Sequence, residues 1–590
     1  METLYDKASL ILNPGIYDTG KVYCTKPLDG SGDLTFTRAS NATRVNADGL
    51  IEKVRTNLAP YSSDFSQQYI LIDATISTNT TTDPFGTSLA DSHLETATSS
   101  THTGFTDYTV TSGAELSYSI YAKSIGGRNI RVGGSVGWAS VAVVDLSNGT
   151  LLGGSTADAK VTSVGNGWYR ISITATTSGT IARVLVYSLD GTTTSFAGDV
   201  TKGIHIFGRQ LEYGVPTDYI PTTTAAVSVG PVSGLPRLDY SGGATCGKLL
   251  LEPQRTNVIT FSEQINNATW NNVRGTITAN STISPSGVQD ADTFASAPAQ
   301  SFPPALTRNP TYTGNTSYTL SIFAKVLGNT NLFSLGYVDN ATGYTGGSAV
   351  YNLATQVITI TQSPNVSVTA SMQAYGNGWY RLSLSFLTIA VPTFNYFQIG
   401  QTTNDVANGF ALWGCQLEAG SYATSYIPTL GSAVTRLTDT YQKGGFGNTS
   451  TAGTLYYELE NYQRSLPANG MYIIQLFAGS SVGNPSFCDS NSISIINNIA
   501  IEGRNNGYAT TLFNFSPTAG ATVKIALRYD GTNVVAFING VKGTVFADTA
   551  VGVKNAIRVN NGENGANATK QLLIFSSALT DAQCIELTTL

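Results

Sequence analysis

One feature constrains the fold more than any other: the chain repeats itself. Arg55-Thr56-Asn57 returns as Arg255-Thr256-Asn257. ELSYSIYAKSIGG (115–127) returns as SYTLSIFAKVLGN (317–329), and GNGWYRISI (165–173) returns as GNGWYRLSL (376–384). GRQLEYGVPTDYIPT (208–222) returns as GCQLEAGSYATSYIPT (414–429). The four matches keep one order at offsets of 200, 202, 211 and 206 to 207 residues. Collinear matches with drifting offsets mean fixed strands joined by loops of changing length. Each copy must therefore fold as one unit, about 58–225 and 256–437.

Within a copy, LSYSIYAK, WYRISITA, ARVLVYSL and GIHIFGRQL alternate apolar with polar residues, the period of a strand with one buried face. Gly, Asn, Asp and Ser clusters separate them, and no 12-residue stretch carries a helical period. Many short strands in such a unit predict an antiparallel two-sheet sandwich of jelly-roll type. Asn166-Gly167 and Asn377-Gly378 read as tight turns. Trp168 and Trp379 then enter a strand, as core residues or as a platform on which a sugar ring stacks. Pro221 and Pro428 are expected to end the last strand, with Tyr219 and Tyr426 anchoring its exit.

The 590 residues exceed one domain, at about 150 residues per domain. Residues 1–57 read as an N-terminal attachment or arm region and 226–255 as a linker and second arm. The stretch 222–236 is small, polar and Pro/Gly-containing, as linkers are. A third unit spans 438–590. Its segments TVKIALRYD and NVVAFING flank Asp530-Gly531-Thr532-Asn533, a hairpin signal. SSALTDAQCIEL reads as one short helix with Thr580 and Gln583 as a capping box.

Composition narrows the function. Charged residues are 12 % of the chain, and the net charge is −6, which excludes a generic nucleic-acid binder. His93, His102 and His205 are the whole imidazole supply. Cys24, Cys246, Cys415, Cys488 and Cys584 are scattered, with neither a zinc pattern nor a disulfide framework. No apolar run of membrane-spanning length exists, and the first residues do not read as a secretory leader.

YDGTNVVAFINGVKGT with LLIFSSALTDAQCIEL resembles the laminin-G and concanavalin-A-like superfamily over about 440–590, with Gln583 where an acid is usual. FTRASNATRVNADGLIE followed by RTNL, and LLLEPQRTN followed by FSE, resemble modules of tailed-bacteriophage virion proteins. The copies with FAK, GNGWYR and QLEAG…YIPT are similar to carbohydrate-binding-module-like jelly rolls. The resemblance implies a virion component, a head or tail fibre or other appendage. It would be made in the bacterial cytoplasm, released by lysis, joined to other virion proteins and, by analogy, homotrimeric.

Three functions stay open: a structural protein adhering to host-surface glycans, a glycan depolymerase, and a purely architectural decoration protein. Catalysis is not expected. Glu458 and Glu460 alternate onto one face but lack a third acid, so they read as solvated charges on an edge strand. Ser92-His93 reads as loop, and no GxSxG exists. No cofactor and no metal are expected: Asp530 and Asn533, with Asn505, Asn506 and 560–564, could offer calcium oxygens, but the turn explains Asp530-Gly531. Carbohydrate-binding residues stay unknown among the aromatics of 503–511, 340–347 and the segment around Trp138.

Overall fold

The structure is a computed structural model. It describes residues 3–590 apart from 340–344, 365, 391, 393–394, 404–408, 446–449, 465–473, 478–492, 497–499, 506–507, 515–519, 548–555 and 560–564. The chain is all-β, with tandem antiparallel jelly-roll sandwiches and a C-terminal antiparallel unit. The helices among the described residues are Leu4–Lys7, Ser241–Gly243 (one 3-10 turn) and Asp581–Thr588. In the last, Thr580 and Gln583 form the expected reciprocal cap.

The two copies have the same sheet order. In repeat 1 one sheet runs Lys160–Gly165, Trp168–Thr176, Glu115–Ile125, Gly203–Tyr213, Ala90–Glu95, Ala74–Thr81. In repeat 2 the matching sheet runs Val368–Ala374, Trp379–Leu387, Ser317–Val326, Phe410–Ala419, Ala291–Ser296, Gly275–Thr282. The second sheets match likewise, around Ile181–Leu189 and Asn395–Gln401. Alternation decides which side is buried: Tyr118, Ile120 and Ala122 enter the core between the sheets of repeat 1, as Leu320, Ile322 and Ala324 do in repeat 2.

The recurring motifs are the polar fastenings of this fold. Asn257 is fully buried and uses its whole bonding capacity. Its Nδ2 donates to the carbonyls of Cys415 (3.2 Å) and Ile427 (2.9 Å), while Oδ1 accepts from the amides of Ile259 and Leu417 (both 3.1 Å). Asn57 repeats this with the carbonyls of Arg209 and Ile220 and the amides of Ala59 and Leu211. The Gln of each QLE motif donates to the Glu two residues on, from Gln210 to Glu212 at 2.7 Å and from Gln416 to Glu418 at 2.6 Å. Each Glu then holds the exit loop through Thr217 or Thr424.

The last strands end at Tyr213 and Ala419, several residues before Pro221 and Pro428. The prolines thus lie in the exit loop and do not end the strand; Gly214 at φ +81° and Gly420 at φ +146° turn the chain out first. Tyr219 and Tyr426 do anchor that exit, each hydroxyl 2.6 Å from a serine hydroxyl, Ser62 and Ser262. Asn166-Gly167 and Asn377-Gly378 all have positive φ, between 50° and 80°, as the turn reading requires. A bulge sits at Gly208 and Gly414, both at φ +63°. A Cβ at Gly414 would lie 3.0 Å from Cδ2 of Phe323, so Gly414→Ala is expected to cost about 1–2 kcal/mol in denaturant unfolding.

The chain divides into two compact units. One is Val54–Gly230 with Val288–Asp290, which contains repeat 1. The other contains residues 1–53, 231–287 and 291–590. In it, the segments read as arms are integral strands. Leu10–Leu12 pair with Leu572–Ile574, Leu249–Leu251 with Asn567–Thr569, and Thr35–Thr37 with Thr440–Gln442. Leu10, Leu12, Leu34, Phe36, Leu249 and Leu251 share one core with Tyr441, Tyr457 and Leu572. Short runs such as LTFT and KLLL had the look of strands; each pairs on one side with a nearby strand, Lys21–Val22 or Leu238–Asp239, and on the other with one hundreds of residues away. The expected hairpin pairs Val523–Asp530 with Asn533–Ile538.

Candidate functional site

Residues weighed for chemistry in the sequence are mostly consumed by structure. Trp168 and Trp379 are 1 % and 2 % exposed. Their Nε1 groups donate to the carbonyls of Thr82 and Ile283, at 3.2 and 3.1 Å, so they are core residues that tie down the loop above them. Trp138 is buried too, donating to the Ala175 carbonyl at 2.9 Å. Glu458 and Glu460 do not lie on an edge strand: Ala452–Arg464 is paired on both sides, with Val523–Asp530 and Gly565–Phe575. Lys570 Nζ reaches Glu458 at 3.1 Å and Glu460 at 3.3 Å. Lys248 also pairs with Glu460.

Ser92-His93 is not loop but part of the strand Ala90–Glu95. Alternation sends the two side chains to opposite faces. Ser92 Oγ meets Nδ1 of His205 at 3.0 Å, and burial with nearby Lys123 lowers the His205 pKa. Among the described residues no carboxylate is hydrogen-bonded to His205, so no third member orients that pair. Asp530 Oδ1 accepts from the amides of Thr532 (3.0 Å) and Asn533 (2.7 Å), the turn the sequence implied. Asn506, 560–564, most of 340–347 and part of 503–511 lie outside the described residues.

A different residue stands out. Phe85, in the loop after Ala74–Thr81, is 60 % exposed yet rests on three rings. It stacks on Tyr219 at 5.7 Å and 24°, and meets Tyr121 at 5.6 Å and Phe207 at 6.1 Å. Tyr121 and Phe207 project from the outer side of the repeat 1 sheet because their neighbours Ile120, Ala122 and Ile206 face the core. Arg170 of the WYR motif lies 5.6 Å over the Tyr121 ring and donates to Ser119 Oγ at 3.0 Å. Buried Asp83 fixes the loop: Oδ1 accepts from the amide of Phe85 at 2.7 Å, and Oδ2 accepts from the Thr87 hydroxyl. Burial pushes the Tyr219 pKa up to about 12, so this hydroxyl stays a neutral donor through ordinary pH. The outcome is a rigid, uncharged aromatic ring held out to solvent.

The second copy shows what else this face can do. Asp83-Pro84-Phe85-Gly86 corresponds to Ser284-Pro285-Ser286-Gly287, so the exposed ring is missing. The chain's own hairpin, Thr43–Val45 with Ile51–Lys53, covers the face instead. Ile51 is buried with Phe323, Trp413 and Tyr426, the counterparts of Tyr121, Phe207 and Tyr219. The Ile51 amide donates to the Pro285 carbonyl at 2.9 Å, Thr43 Oγ1 donates to the Tyr426 carbonyl at 2.6 Å, and Lys53 Nζ lies 5.6 Å over the Trp413 ring. One copy is sealed by its own chain, and the other presents Phe85.

No family model matches this chain, and no curated protein matches it. Among solved structures, it is similar to the tandem CBM22-1–CBM22-2 domain of Xyn10C from Paenibacillus barcinonensis, at 10 % identity over 65 % of this chain and 99 % of that one, with a TM-score of 0.20. It is also similar to the LG1–3 region of the laminin alpha2 chain, at 11 % identity over 82 % of this chain and 97 % of that one, with a TM-score of 0.16. At these TM-scores neither likeness bears on function, and the architecture rests on the strand pairing itself.

Proposed function

We propose that this chain is a structural and adhesive protein that holds a glycan on the open aromatic face of repeat 1 and does not cut it. The observation that carries the reading is Phe85: an exposed ring, fixed by Asp83 and backed by Tyr121, Phe207 and Tyr219. Sugar faces stack on such rings, and a pre-organised ring loses little entropy on binding. The resemblance of 33–57 and 237–257 to tailed-phage virion modules supports placing it on a virion, as a head or tail fibre or other appendage beside other virion proteins. In that setting a homotrimer multiplies weak contacts into avid ones.

Polysaccharide adhesion by the full chain is expected to fall at least about tenfold in Phe85→Ala, the scale of truncating an aromatic anchor. The same variant is expected to melt like the parent, since its ring is mostly exposed. Unchanged adhesion across a broad glycan panel would remove the reading. Oligosaccharides accumulating with time would replace it with the depolymerase. Adhesion to nothing would leave the architectural role.

A further inference from the structure

Repeat 2 ends one of its sheets in a strand that repeat 1 barely has. Val357–Gln362 is the last strand of the sheet that begins at Asn271–Val273, and all six residues pair on one side with Gly347–Asn352. Its counterpart in repeat 1, Thr150–Leu151, has two residues. Among the described residues no backbone group of Val357–Gln362 bonds anything beyond that one ladder, so its other side is an open row of amides and carbonyls. Ile358 packs on the core of repeat 2. Val357 and Ile360 are 56 % and 44 % exposed, and Thr359 and Thr361 are exposed as well.

An open edge pairs with any free strand that reaches it, and soluble chains blunt it with a charge, a proline, a bulge, shortness or a covering segment. The other edges of the two repeats use these devices. Ala74–Thr81 and Gly275–Thr282 are broken by register shifts around Asn79 and Asn280, both at positive φ. Lys160–Gly165 carries a lysine and a register shift. Ile70–Ile72, Ser195–Ala197 and Asn271–Val273 have three residues each. Val368–Ala374 is regular, but the hairpin residues Thr43, Arg44 and Val45 face its Ser371, Met372 and Gln373 across one cleft. Val357–Gln362 has none of these protections. Five of its six residues are β-branched, the type that suits an extended strand. No charged residue stands between Asp339 and Arg381, whereas Gly134 to Arg170 of repeat 1 contains Asp145, Asp158 and Lys160.

We infer that Val357–Gln362 pairs antiparallel with the same strand of a second copy of this chain, about a two-fold axis, so that two sheets become one. The occupant follows from the match the edge requires: a strand of similar length, unbroken, uncharged and uncovered. Among the free edges of the two repeats, only Val357–Gln362 itself meets that description. Identical strands meeting about a two-fold axis would set any charge close to its own copy, and here there is none to repel. The contact doubles the mass of whatever assembly the rest of the chain forms.

Static light scattering of the full chain tests this. Thr359→Lys combined with Thr361→Lys is expected to halve the mass, because the pairing brings these positions of the two copies together and like charges there repel. Thr359→Glu combined with Thr361→Glu is expected to halve it as well. An equimolar mixture of the two double variants is expected to regain the parental mass, which mere damage to the fold could not produce. Phe85→Ala, on the other repeat, is expected to leave the mass unchanged, so adhesion and association can fail separately. Should neither double variant fold, amide exchange in the parent decides: protection within Val357–Gln362 is expected to rise with chain concentration. A mass that the lysines leave unchanged, a mixture that stays at half the parental mass, or exchange independent of concentration would overturn the inference.

Discussion

Asn257→Ala is expected to lower the unfolding free energy of its unit by about 3–5 kcal/mol, more than any single apolar truncation at the surface could. The side chain is fully buried and makes four hydrogen bonds. Its removal strands two carbonyls and two amides in an interior that water does not reach. Each stranded group costs about 1–3 kcal/mol, moderated by local relaxation. Asn257→Asp would be no milder, because a carboxylate oxygen would then face the carbonyls of Cys415 and Ile427. Asn57→Ala should act the same way on the unit Val54–Gly230, since its bonds lie within that unit. Denaturant unfolding followed by tyrosine and tryptophan fluorescence measures both. A loss below about 1 kcal/mol would mean that the motif recurs for a reason other than the fastening described.

This chemistry explains why the repeats could be read from sequence at all. Arg-Thr-Asn, GNGWYR and QLE…YIPT recur because Asn57, Trp168, Gln210 and Glu212, and their partners in repeat 2, each satisfy particular backbone groups that no similar residue would. Loops between them drifted freely. The arms were illegible for the opposite reason. LTFT and KLLL announce strands, but a strand's partner is not written in its own residues, and Leu10–Leu12 find theirs at Leu572–Ile574. Glu460 was misplaced on an edge for the same cause. Phe85 had a signal that could have been used: when the two copies are aligned, DPFG stands against SPSG, and a ring present in only one copy is not part of the shared fold. The Ser92–His205 contact had none, since it joins strands more than a hundred residues apart.

The second large effect is expected at Asp439, where the N-terminal segment, the inter-repeat segment and the exit of repeat 2 are joined by buried charge. Its Oδ1 accepts from Arg38 Nη1 at 2.9 Å, and its Oδ2 accepts from Arg237 and from the Glu252 amide (3.0 Å). Arg38, Arg237, Arg436 and Asp439 are each no more than 1 % exposed. Replacing a buried network with apolar groups can be neutral, but removing one partner leaves charge buried without compensation, at about 3–5 kcal/mol. Asp439→Ala does that to Arg38 and takes from Arg237 one of its two carboxylates, leaving it Glu252. The same network sets an acid limit. Despite the penalty of burial, Arg436, Arg237 and the Ser425 bonds hold the Glu252 pKa at about 2, below the 4.5 of a free glutamate. A depressed carboxylate contributes stability that is fully present above its unfolded pKa and disappears as pH falls through its folded one. For Glu252 that window runs from about pH 4.5 down to about pH 2, and the shift corresponds to about 3 kcal/mol. Urea unfolding at steps between pH 6 and pH 2 should therefore show a steep loss in the native chain. In Glu252→Gln that segment of the slope should be missing, on a baseline already lowered at neutral pH. Parallel slopes in the two proteins would assign the acid lability to other carboxylates and deny this network its role in joining the three segments.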